Sequence, residues 1–318
     1  MLALLQLPVH WKFTELFAAI LTVLGSMKRN YIAIAFLVIT VVVAALFALL
    51  QNYTFQVFDP KGLIATEERG LIIHAVLLML IVVVPVFILA FSIAWHYRTG
   101  NTKAVYTPNW ENSPMEELVW WAVPLEIILV LGALTWSSTH ALDPAKPLAV
   151  SGTPLVVQVV ALEWKWLFIY PELGIASVNQ LEMPVNRPVT FYITADAPMN
   201  SFWIPQLGGQ IYAMTGMVTQ LHLVANTVGT YAGASANYSG DGFAQMKFDA
   251  NAVTEDDFNA WVAGVKRSNQ TLDQPAYLAL ARPSTTTPQV YAPVANNLYN
   301  SIVMQFMQPQ NAMGAMEN

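Results

Sequence analysis

From Leu155 to Tyr170 the chain reads LVVQVVALEWKWLFIY, a run in which nearly every residue is β-branched, aromatic or aliphatic. Such residues fit a pleated, half-buried surface, and a run this short cannot cross a bilayer as a helix. It is read as strand structure. Further short runs follow at Pro188 to Thr194, Thr219 to Ala225 and Gln245 to Phe248, separated by glycine and proline. Short strands with this punctuation describe an all-β sandwich over residues 150–250.

Upstream the text changes character. Leu71 to Ala94 and Leu118 to Trp136 are apolar and each long enough to span a bilayer. Interfacial aromatics close them: Trp95 and Tyr97 on one, Trp120, Trp121 and Trp136 on the other. Pro85 and Pro124 fall inside, which membrane helices tolerate because neighbouring groups satisfy the freed carbonyls. Residues 53–140 therefore form a transmembrane helical hairpin. Charged residues are 11% of the chain and hydrophobic ones 55%, in keeping with two spans carrying a water-facing domain. The net charge of −6 and the lack of a basic run exclude a nucleic-acid partner.

Residues 1–52 have two readings. Tyr31 to Leu50 is uncharged and follows Met27, Lys28 and Arg29, the order of a cleaved signal, yet its length suits a retained anchor; Met27 is an alternative start to Met1. With Lys28 and Arg29 inside, the Arg98–Glu117 loop is cytoplasmic and everything after Trp136 lies outside. Charge counting alone does not decide this, since Lys61 and Arg69 balance Arg98 and Lys103.

Within the sandwich, Gly229 to Met246 reads GTYAGASANYSGDGFAQM, and Met199 to Pro205 reads MNSFWIP. The first resembles GTYxGxCxExCGxxHxxM, the electron-entry loop of subunit II of haem-copper oxidases, and the second that family's HSFWVP. In the family two cysteines, two histidines and a methionine bind a two-copper centre. Here Ser235 and Ser239 replace the cysteines, Asn237 the glutamate, and Phe243 and Asn200 the histidines; Met246 alone is kept. Serine hydroxyls stay protonated at neutral pH and are poor copper ligands, phenylalanine offers no lone pair, and the chain has no cysteine anywhere. Further landmarks in family order are DPKG (Asp59 to Gly62), WSSTHALDPAKP (Trp136 to Pro147), EWKW (Glu163 to Trp166) and QIYAMTGM (Gln210 to Met217). The likeness runs from Asp59 to at least Val262. Within the family, the pattern of lost ligands looks like subunit II of cytochrome bo-type ubiquinol oxidases, which take electrons from a membrane quinol.

That resemblance implies a cupredoxin-like Greek-key domain in the periplasm, held in a bacterial inner membrane. It implies no cofactor in this chain, with haems and copper in subunit I. The implied partners are subunit I, the other oxidase subunits, membrane lipid, and ubiquinol bound by the complex. The chain is then a non-redox subunit of a proton-translocating ubiquinol oxidase that reduces oxygen to water. Two rivals are a membrane-tethered cupredoxin-like assembly or binding module, and a copper-bearing subunit II of cytochrome c oxidase; the missing ligands argue against the latter.

Glu117 matches the family glutamate at the mouth of a proton-uptake path, and a carboxylate at the cytoplasmic surface suits that task; Glu116 is its adjacent control. Glu126 lies about 13 Å deeper and half a turn round, so the two cannot line one straight path along the helix. A carboxylate inside a span needs a partner or a proton, and Glu126 is read as hydrogen-bonding to another subunit. His74, inside the first of these spans, is read in the same way. Trp164 and Trp166 are assigned a structural role, His222 a place on a strand, and Asn200, Ser235 and Ser239 a mutual hydrogen-bonded set.

The segment 251–318 is read as a short helical extension and tail. Thr254 caps a helix whose apolar stripe is Phe258, Trp261, Val262 and Val265, and Arg282 to Pro293 reads as an irregular connector. Met304, Met307, Met313 and Met316 have no regular repeat and no histidine among them, which favours packing over copper(I) capture.

Overall fold

The computed structural model describes Val41 and residues 55–105, 107–109 and 113–307. The expectations for residues 1–52, Val41 aside, and for Met313 and Met316 lie outside them.

Two long helices precede the sandwich, α1 (Leu63–His96) and α2 (Pro114–Ala141). Both are apolar enough to cross a membrane, and their spanning windows bury nothing inside the chain. Each runs past the apolar run that marks it in the sequence. Glu67, Glu68 and Arg69 extend α1 toward the sandwich, and Pro114 starts α2 at a position where its missing N–H costs no hydrogen bond.

The DPKG segment splices α1 onto the sandwich. Lys61 N–H and Gly62 N–H both donate to the Gln206 carbonyl, at 2.7 and 3.1 Å. Asn226 N–H donates to the Lys61 carbonyl at 2.8 Å, and Asp59 pairs with Lys61 at 2.8 Å. Gly62 is squeezed between two strands of backbone. A Cβ there would meet the Val224 and Leu207 carbonyl oxygens at 2.7 and 2.8 Å, so only glycine lets the chain through.

The sandwich contains β1 (Leu155–Leu162), β2 (Lys165–Tyr170), β3 (Ile175–Val178), β4 (Gln180–Pro184), β5 (Val189–Asp196), β6 (Asn200–Trp203), β7 (Ile211–Ala213), β8 (Thr219–Leu223), β9 (Gly229–Ser235) and β10 (Lys247–Val253). After them come α3 (Glu255–Val265), α4 (Gln274–Leu280), β11 (Gln289–Tyr291) and α5 (Leu298–Gln305). One sheet has the order β11-β3-β2-β1-β5-β8 and the other β4-β10-β9-β6-β7. The β1–β5 and β4–β10 pairs are parallel and the rest antiparallel. Between the sheets lies an aromatic core in which Phe202 stacks on Phe248 at 5.2 Å and Trp166 meets Phe202 edge-on at 5.4 Å.

β2 is buried at every residue, whereas a sandwich strand with one wet face should alternate. The C-terminal extension supplies the second cover. Leu272, Tyr277, Leu298, Tyr299, Ile302 and Val303 pack against Val160, Leu162, Leu167 and Ile169 on the outer face of the six-stranded sheet. This corrects the irregular connector expected from Arg282 to Pro293, because residues 289–291 form β11 and pair with β3. Proline and threonine flanks hid a strand whose stability comes from its partner. Thr254 does cap α3, accepting from Asp257 N–H at 3.2 Å, and Phe258, Val262 and Val265 are buried against the sandwich. Met304 and Met307, by contrast, stay exposed.

Lys165 ties the extension down. It lies between two tryptophans and is fully buried. Its Nζ donates to the Leu280 and Arg282 carbonyls at 2.9 and 2.7 Å and to Ser284 Oγ at 2.8 Å. Burial pushes the ammonium below its usual range, and Glu163 pulls it back up. All three N–H directions are used, which is how a buried cation is tolerated.

Candidate functional site

The loop that joins β9 to β10 meets β6 at one end of the sandwich. Strand β6 begins at Asn200, which is completely buried, and pairing of Phe202 with Ser235 brings β9 alongside. Ser235 Oγ donates to Asn200 Oδ1 at 2.9 Å, and Asn200 Nδ2 donates to the Pro198 carbonyl at 2.7 Å. Ser201 N–H reaches back to Ser235 Oγ at 3.4 Å. Asn237 Nδ2 donates to the Met199 carbonyl at 2.8 Å, fixing the loop to the entrance of β6.

Ser239 does not join this set, contrary to the mutual three-residue network expected from the sequence. Its Oγ lies 3.9 Å from the buried Met246 Sδ. Phe243 turns toward Tyr238, edge-on at 5.5 Å. Above the loop sits Trp164, whose Nε1–H donates to the Ser239 carbonyl at 3.1 Å. Trp164 occupies the left-handed region, φ 65°, in the tight turn between β1 and β2, an unusual place for a bulky residue. Its ring lies flat over Gly242, where a Cβ would come within 2.3 Å of it. The neighbouring Trp166 points inward and is fully buried.

These residues do not fit a copper centre. The donor set is one thioether, two carboxamides and two neutral hydroxyls, and the Ser235–Asn200 pair has satisfied itself. Hydrogen bonds now do the work of holding the two strands and the loop together.

The remaining candidates stand apart from the loop. Glu117 lies in the first turn of α2 beside Glu116, at the end of the hairpin remote from the sandwich, and both side chains are exposed. Acidic residues there also complement the positive end of the helix. Glu126 and His74 are exposed on α2 and α1 and make no hydrogen bond among the described residues. His222, on β8, shares a hydrogen bond of 3.1 Å with Thr190 Oγ1 through Nδ1, and burial pulls its imidazole below the usual range. Sequence reasoning missed Glu68. It is half-buried where α1 meets the sandwich and takes a hydrogen bond from Gly209 N–H. No local pattern marks it, because Gly209 is distant in sequence.

Comparison with known proteins places this geometry. Residues 171–253 match the family model for the periplasmic domain of cytochrome c oxidase subunit II, and residues 266–310 that for the cytochrome oxidase aromatic-rich motif. The second match covers most of the extension, whose buried Tyr277 and Tyr299 were the signal available in the sequence. Among solved structures, the periplasmic domain of subunit II of cytochrome oxidase from Bradyrhizobium japonicum is 23% identical, covering 36% of this chain and 95% of its own, with a TM-score of 0.34. Cytochrome bo(3) ubiquinol oxidase subunit 2 of Pseudomonas aeruginosa is 49% identical over 84% of this chain and 81% of its own length. Ubiquinol oxidase subunit 2 of Acetobacter aceti is 50% identical over 81% of this chain and 85% of its own. Quinol oxidase subunit 2 of Bacillus subtilis is 40% identical over 72% of each. Identity of this depth, running through the hairpin and the sandwich alike, means that the chain belongs to the ubiquinol oxidase subunit 2 family.

Proposed function

We propose that this chain is the non-redox subunit II of a proton-translocating ubiquinol oxidase in a bacterial inner membrane. Electrons pass from ubiquinol to haems and copper in subunit I, where oxygen is reduced to water, and they do not pass through this chain. The observation that carries the reading is the loop whose former ligand positions are tied by Ser235–Asn200 and Asn237–Met199 hydrogen bonds. A relay from cytochrome c would need donors there that hold copper, and none remain but Met246.

The chain's own work is then mechanical and protonic. Its two helices, unburied along their spanning windows, offer their faces to subunit I, and Glu126 and His74 find hydrogen-bond partners on neighbouring subunits. The sandwich caps subunit I on the periplasmic side. Glu117 collects protons at the cytoplasmic surface and hands them to subunit I, which its place in the first turn of α2 supports.

Oxygen uptake by the purified complex tests this. Turnover is expected with a water-soluble quinol and not with reduced cytochrome c. Comparable turnover with cytochrome c as sole donor would overturn the reading.

A further inference from the structure

Near the sandwich, α1 and α2 part around a groove. Its deeper section, open to the side and about 350 Å³ in volume, is lined by Leu71, Ala75, Leu131, Leu134 and Leu142, with Thr135, Ser138, Thr139 and Glu68 beside them. Glu68 to Ala75 spans about 10 Å of helix, against about 15 Å for the hydrocarbon half of one leaflet. At its top the groove opens into a chamber of about 530 Å³ between the helix ends and the sandwich, with charged side chains set among apolar ones. The two are continuous, since Glu68, Leu71, Ser138 and Leu142 line both.

The chamber carries mixed charge. Glu67 and Glu68 come from α1, Asp143 and Lys146 from the segment after α2, and His222 from β8; one oxygen of Asp143 already accepts from Ala145 N–H at 3.0 Å. Neither Glu67 nor Lys146 has an ion-pair partner among the described residues.

We propose that this groove holds one phospholipid with a primary ammonium head, phosphatidylethanolamine, with an acyl chain between α1 and α2 and its head in the chamber. The ammonium donates to Glu67 and Glu68, and the phosphate takes Lys146. Complementarity selects the occupant. A quinol head is neutral and gains no charge-assisted bond from the carboxylates or the lysine. An anionic lipid brings no cation to the carboxylates, and a choline head has no N–H to donate. The site is independent of the proton role of Glu117.

The test uses the intact oxidase complex in mild detergent with a phosphatidylethanolamine probe bearing a photoreactive group in its acyl chain. Labelling is expected on Leu71 to Ala75 and Leu131 to Leu134. Unlabelled phosphatidylethanolamine should compete about tenfold better than the choline or glycerol lipid, and Glu67→Gln with Glu68→Gln, which removes both acceptor charges, should cut labelling by at least about tenfold, the scale of a single charge-assisted hydrogen bond. Ala75→Trp fills the groove while leaving the carboxylates alone; it should abolish labelling in a complex with normal subunit content. Equal competition by all three lipids, displacement by ubiquinone, or labelling that survives Ala75→Trp would overturn the proposal.

Discussion

Removing the Ser235 hydroxyl should cost more than removing it together with its partner. In Ser235→Ala, Asn200 Oδ1 loses the donor that sits 2.9 Å away, and Asn200 is wholly buried, so water cannot replace it. A stranded buried acceptor costs about 1–3 kcal/mol. For a domain of this size that lowers the melting temperature by about 2–4 °C per kcal/mol. In the double variant Ser235→Ala with Asn200→Leu, both partners of the 2.9 Å bond are gone and an apolar side chain of similar size fills the space; the long 3.4 Å contact from Ser201 N–H is lost in the single and the double variant alike. The Pro198 carbonyl released from Asn200 Nδ2 belongs to an exposed residue and can reach water. Stability should return to within about 1 kcal/mol of the parent, giving a coupling of about 1–2 kcal/mol in the double-mutant cycle. Urea unfolding of the detergent-solubilised chain measures this through tryptophan fluorescence, because Trp166 packs against Phe202 on the same strand as Asn200. A neutral Ser235→Ala, or strictly additive variants, would show that the pair does not hold the loop.

Gly242→Ala should destabilise the sandwich by about 1–3 kcal/mol, since the new methyl lands within 2.3 Å of the Trp164 ring; quicker proteolysis in residues 236–245 would register the displaced loop. Glu117→Gln should slow quinol-driven oxygen uptake by about tenfold, equivalent to about 1.4 kcal/mol on the barrier, with Glu116→Gln close to the parent. Equal effects from both would point to a shared helix-end role instead. Glu182 is buried, and burial raises its carboxyl above the ordinary 4.5 while donors on Asn251 and Gln180 pull it back. A raised folded-state pKa means that its contribution is whole below 4.5 and is lost as pH rises through the folded value. Glu182→Gln still accepts from Asn251, so the variant should gain on the parent as pH climbs from 4 to 7, and parallel stability curves would refute this.

Local chemistry was readable and long-range pairing was not. LVVQVVAL and KWLFIY show as strands because their side chains declare it, and the emptied loop shows because glycine and aromatic landmarks frame each lost ligand. IASV, QLEMP and QVY are too short for periodicity to mark them, and each is a strand only because a neighbour supplies its ladder. Nothing local in EWKW marks Lys165 as buried, because its acceptors lie more than a hundred residues downstream. The expected Ser239 bond failed for a similar reason, since the side-chain partner it finds, Met246, is set by how the loop folds back rather than by the order of its letters.

The extension has a consequence for biogenesis. Strands β1 and β2 are complete long before Tyr277, Tyr299 and Ile302 emerge, yet those late residues cover their outer face, and β11 closes the edge of β3. Until Leu272 to Val303 are in place, the half-built sheet presents a greasy face and an open rim, the two surfaces through which nascent β proteins stick to each other. The time for which that face and rim stay uncovered, rather than final stability, then sets the window for misassembly.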